Sequence, residues 1–132
     1  MKKSLLSLLF LFLLTATVAQ AQPKAKFDSN EWVLDLTPFS KWSPMRVHTF
    51  TFVNEGDKPL VLYGYKAACG CTTVKFKSQP VLPGEKGYIS VFFDVNSLRP
   101  GYFIKTINVT NNTDQGAFVL TVKGQLKKRG VF

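Results

Sequence analysis

The chain has 132 residues and a formal net charge of +9, from 17 basic and eight acidic side chains. That length suffices for one domain with a two-sheet core and is too short for two domains. A Ser/His/Asp or Cys/His arrangement would have to use His48, the single histidine, and no nucleophile elbow, glycine-rich phosphate loop or acidic metal cluster is present to pair with it. We therefore expect one small domain that is not an enzyme and needs no cofactor.

The N-terminus has the pattern of a cleavable signal peptide. Lys2 and Lys3 precede an apolar run from Leu5 to Leu14, and the small residues of Ala19-Gln20-Ala21 follow. The apolar run reaches about 14 residues, short of the roughly 20 that a membrane-spanning helix needs. We predict cleavage after Ala21, export to the periplasm or the cell exterior, and a mature chain with no membrane span.

The domain boundaries that follow are 1–21 for the signal peptide, 22–30 for an N-terminal extension and 31–132 for the folded domain. The two signal-peptide lysines supply 2 of the +9 charges, so the mature chain carries +7. Its basic clusters are Lys127-Lys128-Arg129 and the pair Lys75 and Lys77. Export excludes nucleic acid as a partner, which leaves another protein or a cell-envelope polymer.

From Trp32 onward the hydrophobic period is two, which predicts an all-β immunoglobulin-like sandwich of about seven strands. The expected strands are Trp32 to Leu36, Arg46 to Val53, one from Pro59, Thr72 to Phe76, Gly87 to Val95, one after Pro100, and Ala117 to Leu126. Their inward residues are Phe50, Phe52, Ile89, Val91, Phe93, Phe103, Ile107, Val109, Phe118, Leu120 and Val122, and Leu60 and Leu62 share one face of the third strand. Lys105 shares this inward parity, so it must either snorkel to the surface or lie at the edge of the core.

The turns between these strands carry distinctive residues. Asn54-Glu55-Gly56-Asp57 predicts a turn in which Gly56 is available for a positive φ, and Pro83-Gly84 predicts a second turn. The remaining motifs, in chain order, are Phe50-Thr51-Phe52-Val53, Pro59-Leu60, Cys69-Gly70-Cys71-Thr72, Ile89-Ser90-Val91-Phe92-Phe93, Gly101-Tyr102-Phe103-Ile104-Lys105, Asn111 and Leu120-Thr121-Val122-Lys123-Gly124.

This order of motifs resembles the bacterial domain-of-unknown-function family 1573, over nearly the whole mature chain. The resemblance implies an immunoglobulin-like fold of the periplasmic-chaperone type and export from the cytoplasm. It implies no catalytic residue. Its CGC motif corresponds to Cys69, Gly70 and Cys71, with Thr72 as the adjoining support.

The two cysteines are the only pair with possible chemistry. In an oxidising compartment each has only the other as an intramolecular partner. A disulfide that closes a loop of about three residues stabilises the fold by roughly 1.6 kcal/mol. A disulfide that closes a loop of about a hundred residues stabilises it by about 4.7 kcal/mol. Same-side residues on an extended strand lie about 6.6 Å apart, so Gly70 must fold the backbone to join the sulfurs. A static disulfide or a pair of inert thiols, a reducible redox disulfide and a Cu(I) site all remain open.

Other metal ligands are scarce. His48 shares strand parity with Phe50 and Phe52, which predicts an edge-of-core imidazole and not a ligand. We therefore predict no metal site, with Cu(I) at Cys69 and Cys71 as the alternative.

Partner recognition would then use exposed aromatics and sheet edges. Tyr63 and Tyr65 share a face opposite Leu62, and we favour core positions with their hydroxyls at the rim over an exposed strip. Trp42 lies in the irregular stretch from Phe39 to Met45 and is a further candidate contact. The predicted function is an extracytoplasmic binding or assembly module, with redox or Cu(I) chemistry at the CGC motif as the alternative.

Overall fold

The structure, a computed structural model, describes residues 20–34 and 45–126. These residues form two four-stranded sheets, with strand orders β1-β3-β6-β5 and β2-β8-β7-β4. The strands are β1 (Ala25–Phe27), β2 (Glu31–Leu34), β3 (Met45–Asn54), β4 (Leu62–Ala67), β5 (Thr72–Phe76), β6 (Lys86–Asp94), β7 (Gly101–Asn111) and β8 (Ala117–Leu126). Pairing is antiparallel except where β2 joins β8. The all-β two-sheet fold is confirmed.

Alternation along the strands builds the core between the sheets, as predicted. Every inward residue named from the sequence is buried, and Phe93, Ile107 and Leu120 have no exposed surface. Strand β6 pairs with β3 on one side and β5 on the other. A two-residue period with one face against the partner sheet fixes this register, because a slip by one residue would expose the whole apolar set.

The segment 22–30, which we predicted as an N-terminal extension, contributes strand β1 to the first sheet. Residues Ala25–Phe27 pair with β3, and the Phe27 ring packs 5.1 Å from that of Phe52 and 5.0 Å from that of Phe118. The Thr51 hydroxyl also donates to the Asp28 carboxylate. Three residues are too few for a two-residue period to be recognised.

Several predictions fall outside the described residues. These are the signal peptide up to residue 19, the irregular stretch that includes Trp42, and the basic cluster at 127–129. Within the two ranges that the structure describes, no helix is long and apolar enough to span a membrane.

At one end of the sandwich, the buried side chain of Asn54 holds three segments of the chain together. The Asn54 side chain has no exposed surface. Its amide donates to the Lys58 and Val81 carbonyls at 2.8 and 2.9 Å. Its oxygen accepts from the Gly56 and Lys24 amides at 3.0 and 3.3 Å. This side chain therefore ties the β3 turn to the N-terminal segment and to the strand-like contact between Leu60 and Val81.

Gly56 has a different role from the predicted one. Its φ does not lie in the left-handed region, unlike that of Gly84, which is +82°. A Cβ at Gly56 would instead lie 2.1 Å from the Gln22 carbonyl oxygen and 2.7 Å from the Pro23 Cα. The turn needs glycine here because the N-terminal segment crosses directly over its backbone.

Candidate functional site

The CGC motif forms the turn that carries the chain from one sheet to the other. It connects β4, an edge strand of the second sheet, to β5, an edge strand of the first. The Ala68 amide donates to the Thr106 carbonyl at 3.1 Å, and the Asp94 amide donates to the Cys71 carbonyl at 2.8 Å. The turn is thus fixed to β7 and β6 at the end of the sandwich opposite Asn54.

Cys69 and Cys71 are joined in a disulfide, with their Cα atoms 5.3 Å apart. That separation is shorter than the extended-strand spacing and falls within the usual range for disulfides. The chain achieves it by turning at residues 68–71 before β5 begins. Of the open interpretations, a pair of free thiols is not what the structure shows.

Gly70 does not have the steric role expected of it. Its φ does not lie in the left-handed region, and apart from its two neighbours in the chain no residue lies within 4 Å of where a Cβ would be. A larger residue would therefore fit this turn.

Thr72 is the residue whose side chain lies close to both cysteine sulfurs. Its side chain is buried, and its Oγ1 lies 3.9 Å from the Cys69 Sγ and 3.7 Å from the Cys71 Sγ. One hydroxyl is therefore placed to interact with either sulfur, at the lengths of weak sulfur hydrogen bonds.

A shallow cleft of about 580 Å³ lies beside the disulfide. The CGC turn forms one wall, and the segment from Ser97 to Lys105 forms the other. Arg99 and Lys105 supply its positive charge, and Tyr102 stands 68% exposed at its border. The expectation that Lys105 lies at the core's edge is confirmed, since it is half-buried. No local pattern in the sequence connects these residues to the cysteines, because about 30 residues separate them and only the sheet pairing brings them together.

The tyrosines are not core residues, which corrects the favoured interpretation. Tyr63 is 66% exposed and Tyr65 is 42% exposed. A register shift between Leu62 and Gly64 breaks the expected alternation, so that Tyr65 pairs with the buried Val109. Tyr65 therefore lies at the open rim of the inner face, and Tyr63 projects from the irregularity.

His48 lies at the edge of the core, as predicted. Its ring stacks on Trp32 at 5.2 Å and meets Phe50 edge-on at 4.7 Å. Partial burial lowers the pKa of the His48 imidazole, because the charged form loses hydration. Across residues 20–34 and 45–126, no group of three or more His, Cys, Asp or Glu side chains could hold a metal ion.

Comparison with known proteins identifies the family. Residues 26–126 match the family described as "Protein of unknown function (DUF1573)". The chain belongs to this family, as the resemblance predicted. No curated protein sequence matches.

Solved structures share the fold at low sequence identity. A protein of unknown function from Porphyromonas gingivalis W83 has a TM-score of 0.65 and 17% identity, over 86% of this chain and 51% of that one. A PapD-like domain of human CEP192 has a TM-score of 0.59 and 8% identity, over 88% and 94%. The periplasmic chaperone SfaE has a TM-score of 0.52 and 12% identity, over 82% and 58%. The chain thus spans about half the length of the Porphyromonas protein.

Part of an enzyme also shares the fold. The Vibrio cholerae protease VesB matches with a TM-score of 0.55 and 17% identity, over 90% of this chain but 35% of that one. At such identity a likeness carries architecture and not activity. The comparisons therefore give a family and a PapD-like, immunoglobulin-like fold.

Proposed function

We propose that this protein is a non-enzymatic binding or assembly module that acts outside the cytoplasm and holds an extended segment of another protein at strand β4. The observation that carries the proposal is the pair of exposed tyrosines on that edge strand, Tyr63 and Tyr65. Tyrosine is enriched at protein interfaces because it combines a large apolar ring with a hydrogen-bonding tip. An edge strand adds unpaired backbone groups to which an incoming strand can bind.

The other edges are poorer platforms for a partner. Strands β1 and β2 have three and four residues, against six in β4. Strand β5 has five residues and no exposed aromatic side chain. An exposed lysine lies on each of these two edges, Lys66 on β4 and Lys75 on β5, so lysine does not distinguish them. Among the described edges, β4 therefore combines the greatest length with exposed aromatic surface.

Two further observations support the location and the class of partner. The N-terminal sequence has the order of a signal peptide, and the fold is shared with a periplasmic chaperone. A protein partner fits this setting better than a polymer, because strand pairing requires a polypeptide backbone. Trp42 stays a predicted second contact.

Site-specific photo-crosslinking in cells tests the proposal. A photoreactive phenylalanine analogue placed at Tyr63 should give discrete adducts with another protein. The matched control is the same analogue at Val119, which is 51% exposed on the outer face of β8. Equal adducts from both positions, or none from Tyr63 and Tyr65, would overturn binding at β4.

A further inference from the structure

We infer that the Cys69–Cys71 disulfide is a thiol-exchange site for a thiol that carries negative charge. The inference concerns the end of the molecule where the CGC turn meets the cleft, and it does not depend on a partner at β4. Three features carry it: access to the sulfurs, positive charge beside them, and a hydroxyl beneath them.

Access comes from the position of the bond in an exposed turn. Gly70 is exposed, and apart from its two neighbours in the chain no residue lies within 4 Å of where its Cβ would be. The two cysteines are half-buried and line the cleft together with Leu98 and Tyr102. An exchange reaction needs an open path for the attacking thiolate to one sulfur, and this cleft provides it.

The positive charge of the cleft determines which class of thiol it attracts. Arg99 and Lys105 line the cleft, and no carboxylate lines it. The nearby Asp94 carboxylate accepts a hydrogen bond from the Asn96 amide at 2.9 Å, so it caps its own turn. Within the described part of the chain, neither Arg99 nor Lys105 forms an ion pair. Two cations that line the cleft without forming an ion pair attract an anionic reductant and stabilise the thiolate that leaves.

The chemistry balances with two thiol groups. A thiolate attacks the Sγ of one cysteine, the S–S bond breaks, and its electron pair stays on the other Sγ as a thiolate. The Thr72 hydroxyl lies within 4 Å of both sulfurs and interacts with whichever one leaves. A second thiolate then attacks the mixed disulfide. The protein becomes a dithiol after taking up two protons, and the reductant is released as its own disulfide.

The recognised chemistry is a thiol flanked by carboxylates. Such a thiol occurs both in a free compound such as glutathione and in a cysteine within an acidic peptide.

Reduction kinetics with thiols of different charge test the inference. The full mature protein is reduced by 3-mercaptopropionate, 2-mercaptoethanol or cysteamine at low ionic strength, and each rate constant is normalised to the thiolate concentration. We expect the anionic thiol to react about tenfold faster than the cationic one, because steering by local charge has this order of effect. The advantage should shrink as salt screens the charges.

Two double variants separate this site from the overall positive charge. Arg99→Ala with Lys105→Ala should abolish the preference for the anionic thiol. Lys77→Ala with Lys86→Ala removes the same charge from exposed positions away from the cleft, and it should leave the preference unchanged. Equal rates for the three thiols, or the same loss in both double variants, would overturn the inference.

A second comparison identifies the source of the thiol. A peptide with a cysteine between glutamates is compared with glutathione. If the peptide reduces the disulfide faster than glutathione does, the natural reductant is a protein thiol. If glutathione is faster, it is a free compound. If both are slower than the neutral thiol 2-mercaptoethanol, the site does not select an anionic thiol and the inference is contradicted. Photo-crosslinking from Tyr63 reads out binding at β4 separately.

Discussion

The two ends of the sandwich differ in how fully their buried or half-buried polar groups are hydrogen-bonded. At one end, the buried amide of Asn54 makes four side-chain hydrogen bonds to backbone groups. At the other end, the disulfide sulfurs have only the long contacts to the Thr72 hydroxyl and face an open cleft. The comparison indicates that Asn54 maintains the fold, and it agrees with our inference that the disulfide takes part in thiol exchange.

Removing the Asn54 amide should have the largest effect. Asn54→Ala leaves two backbone carbonyls and two backbone amides at this end without their partner, so we expect a loss of about 4 kcal/mol in unfolding free energy. Denaturant unfolding measures it. Asn108→Ala, at an exposed position on β7, is the matched control and should change stability by less than about 0.5 kcal/mol. Similar losses in the two variants would contradict the structural role of Asn54.

A methyl group at Gly56 should have the next largest effect. Gly56→Ala places a Cβ against the backbone of residues 22–24, so we expect a loss of about 2 kcal/mol. Hydrogen exchange should show lost protection in β1 in particular, because the N-terminal segment must move away. Gly70→Ala is the matched control at the opposite end and should be close to neutral. A destabilised Gly70→Ala would contradict the open geometry of the CGC turn.

Removing the disulfide should cost less than either change at the asparagine end. Replacing Cys69 and Cys71 by Ser opens a loop of about three residues, for which chain entropy gives at most roughly 1.6 kcal/mol. Circular dichroism should be unchanged, and the midpoint of thermal unfolding should fall by at most about 10 °C. A loss as large as that of Asn54→Ala would show that the cysteine motif is structural after all.

His48 gives the smallest effect and sharpens the comparison along a single strand. It shares the inward parity of β3 with Asn54, but it is only half-buried. Because its pKa in the folded chain lies below 6.5, the unfolded chain takes up the proton first as the pH falls. Stability should therefore be lost as the pH drops below 6.5 through the folded pKa.

His48→Phe should remove that part of the pH dependence. Unfolding by urea at pH 7.5 and pH 5.5, at about one unit either side of the ordinary histidine pKa, compares the two proteins. Wild type and His48→Phe should diverge at the lower pH. Parallel losses in both would contradict the assignment to this imidazole.

The strands were predictable because alternation is a local signal. Thr72–Phe76 and Ala117–Leu126 begin and end at the predicted residues. The faces of Tyr63 and Tyr65 were not predictable, since a single irregularity after Leu62 reverses the parity that follows. The requirement for glycine at Gly56 was not predictable either, for a different reason. It depends on a segment more than 30 residues earlier in the chain crossing over the turn.

The candidate site was also predictable only in part. The sequence identified Cys69 and Cys71 because adjacent residues form the motif. Arg99 and Tyr102 carried no local signal, because their proximity to the disulfide follows from how β7 pairs within its sheet and how the turn crosses between sheets.

The most direct test of the account is photo-crosslinking from Tyr63 in a protein whose Cys69 and Cys71 are both replaced by Ser. Binding at β4 without dependence on the disulfide predicts the same adducts as in the protein with its cysteines. Loss of the adducts from a variant with unchanged circular dichroism would contradict the account and assign the function to the CGC motif.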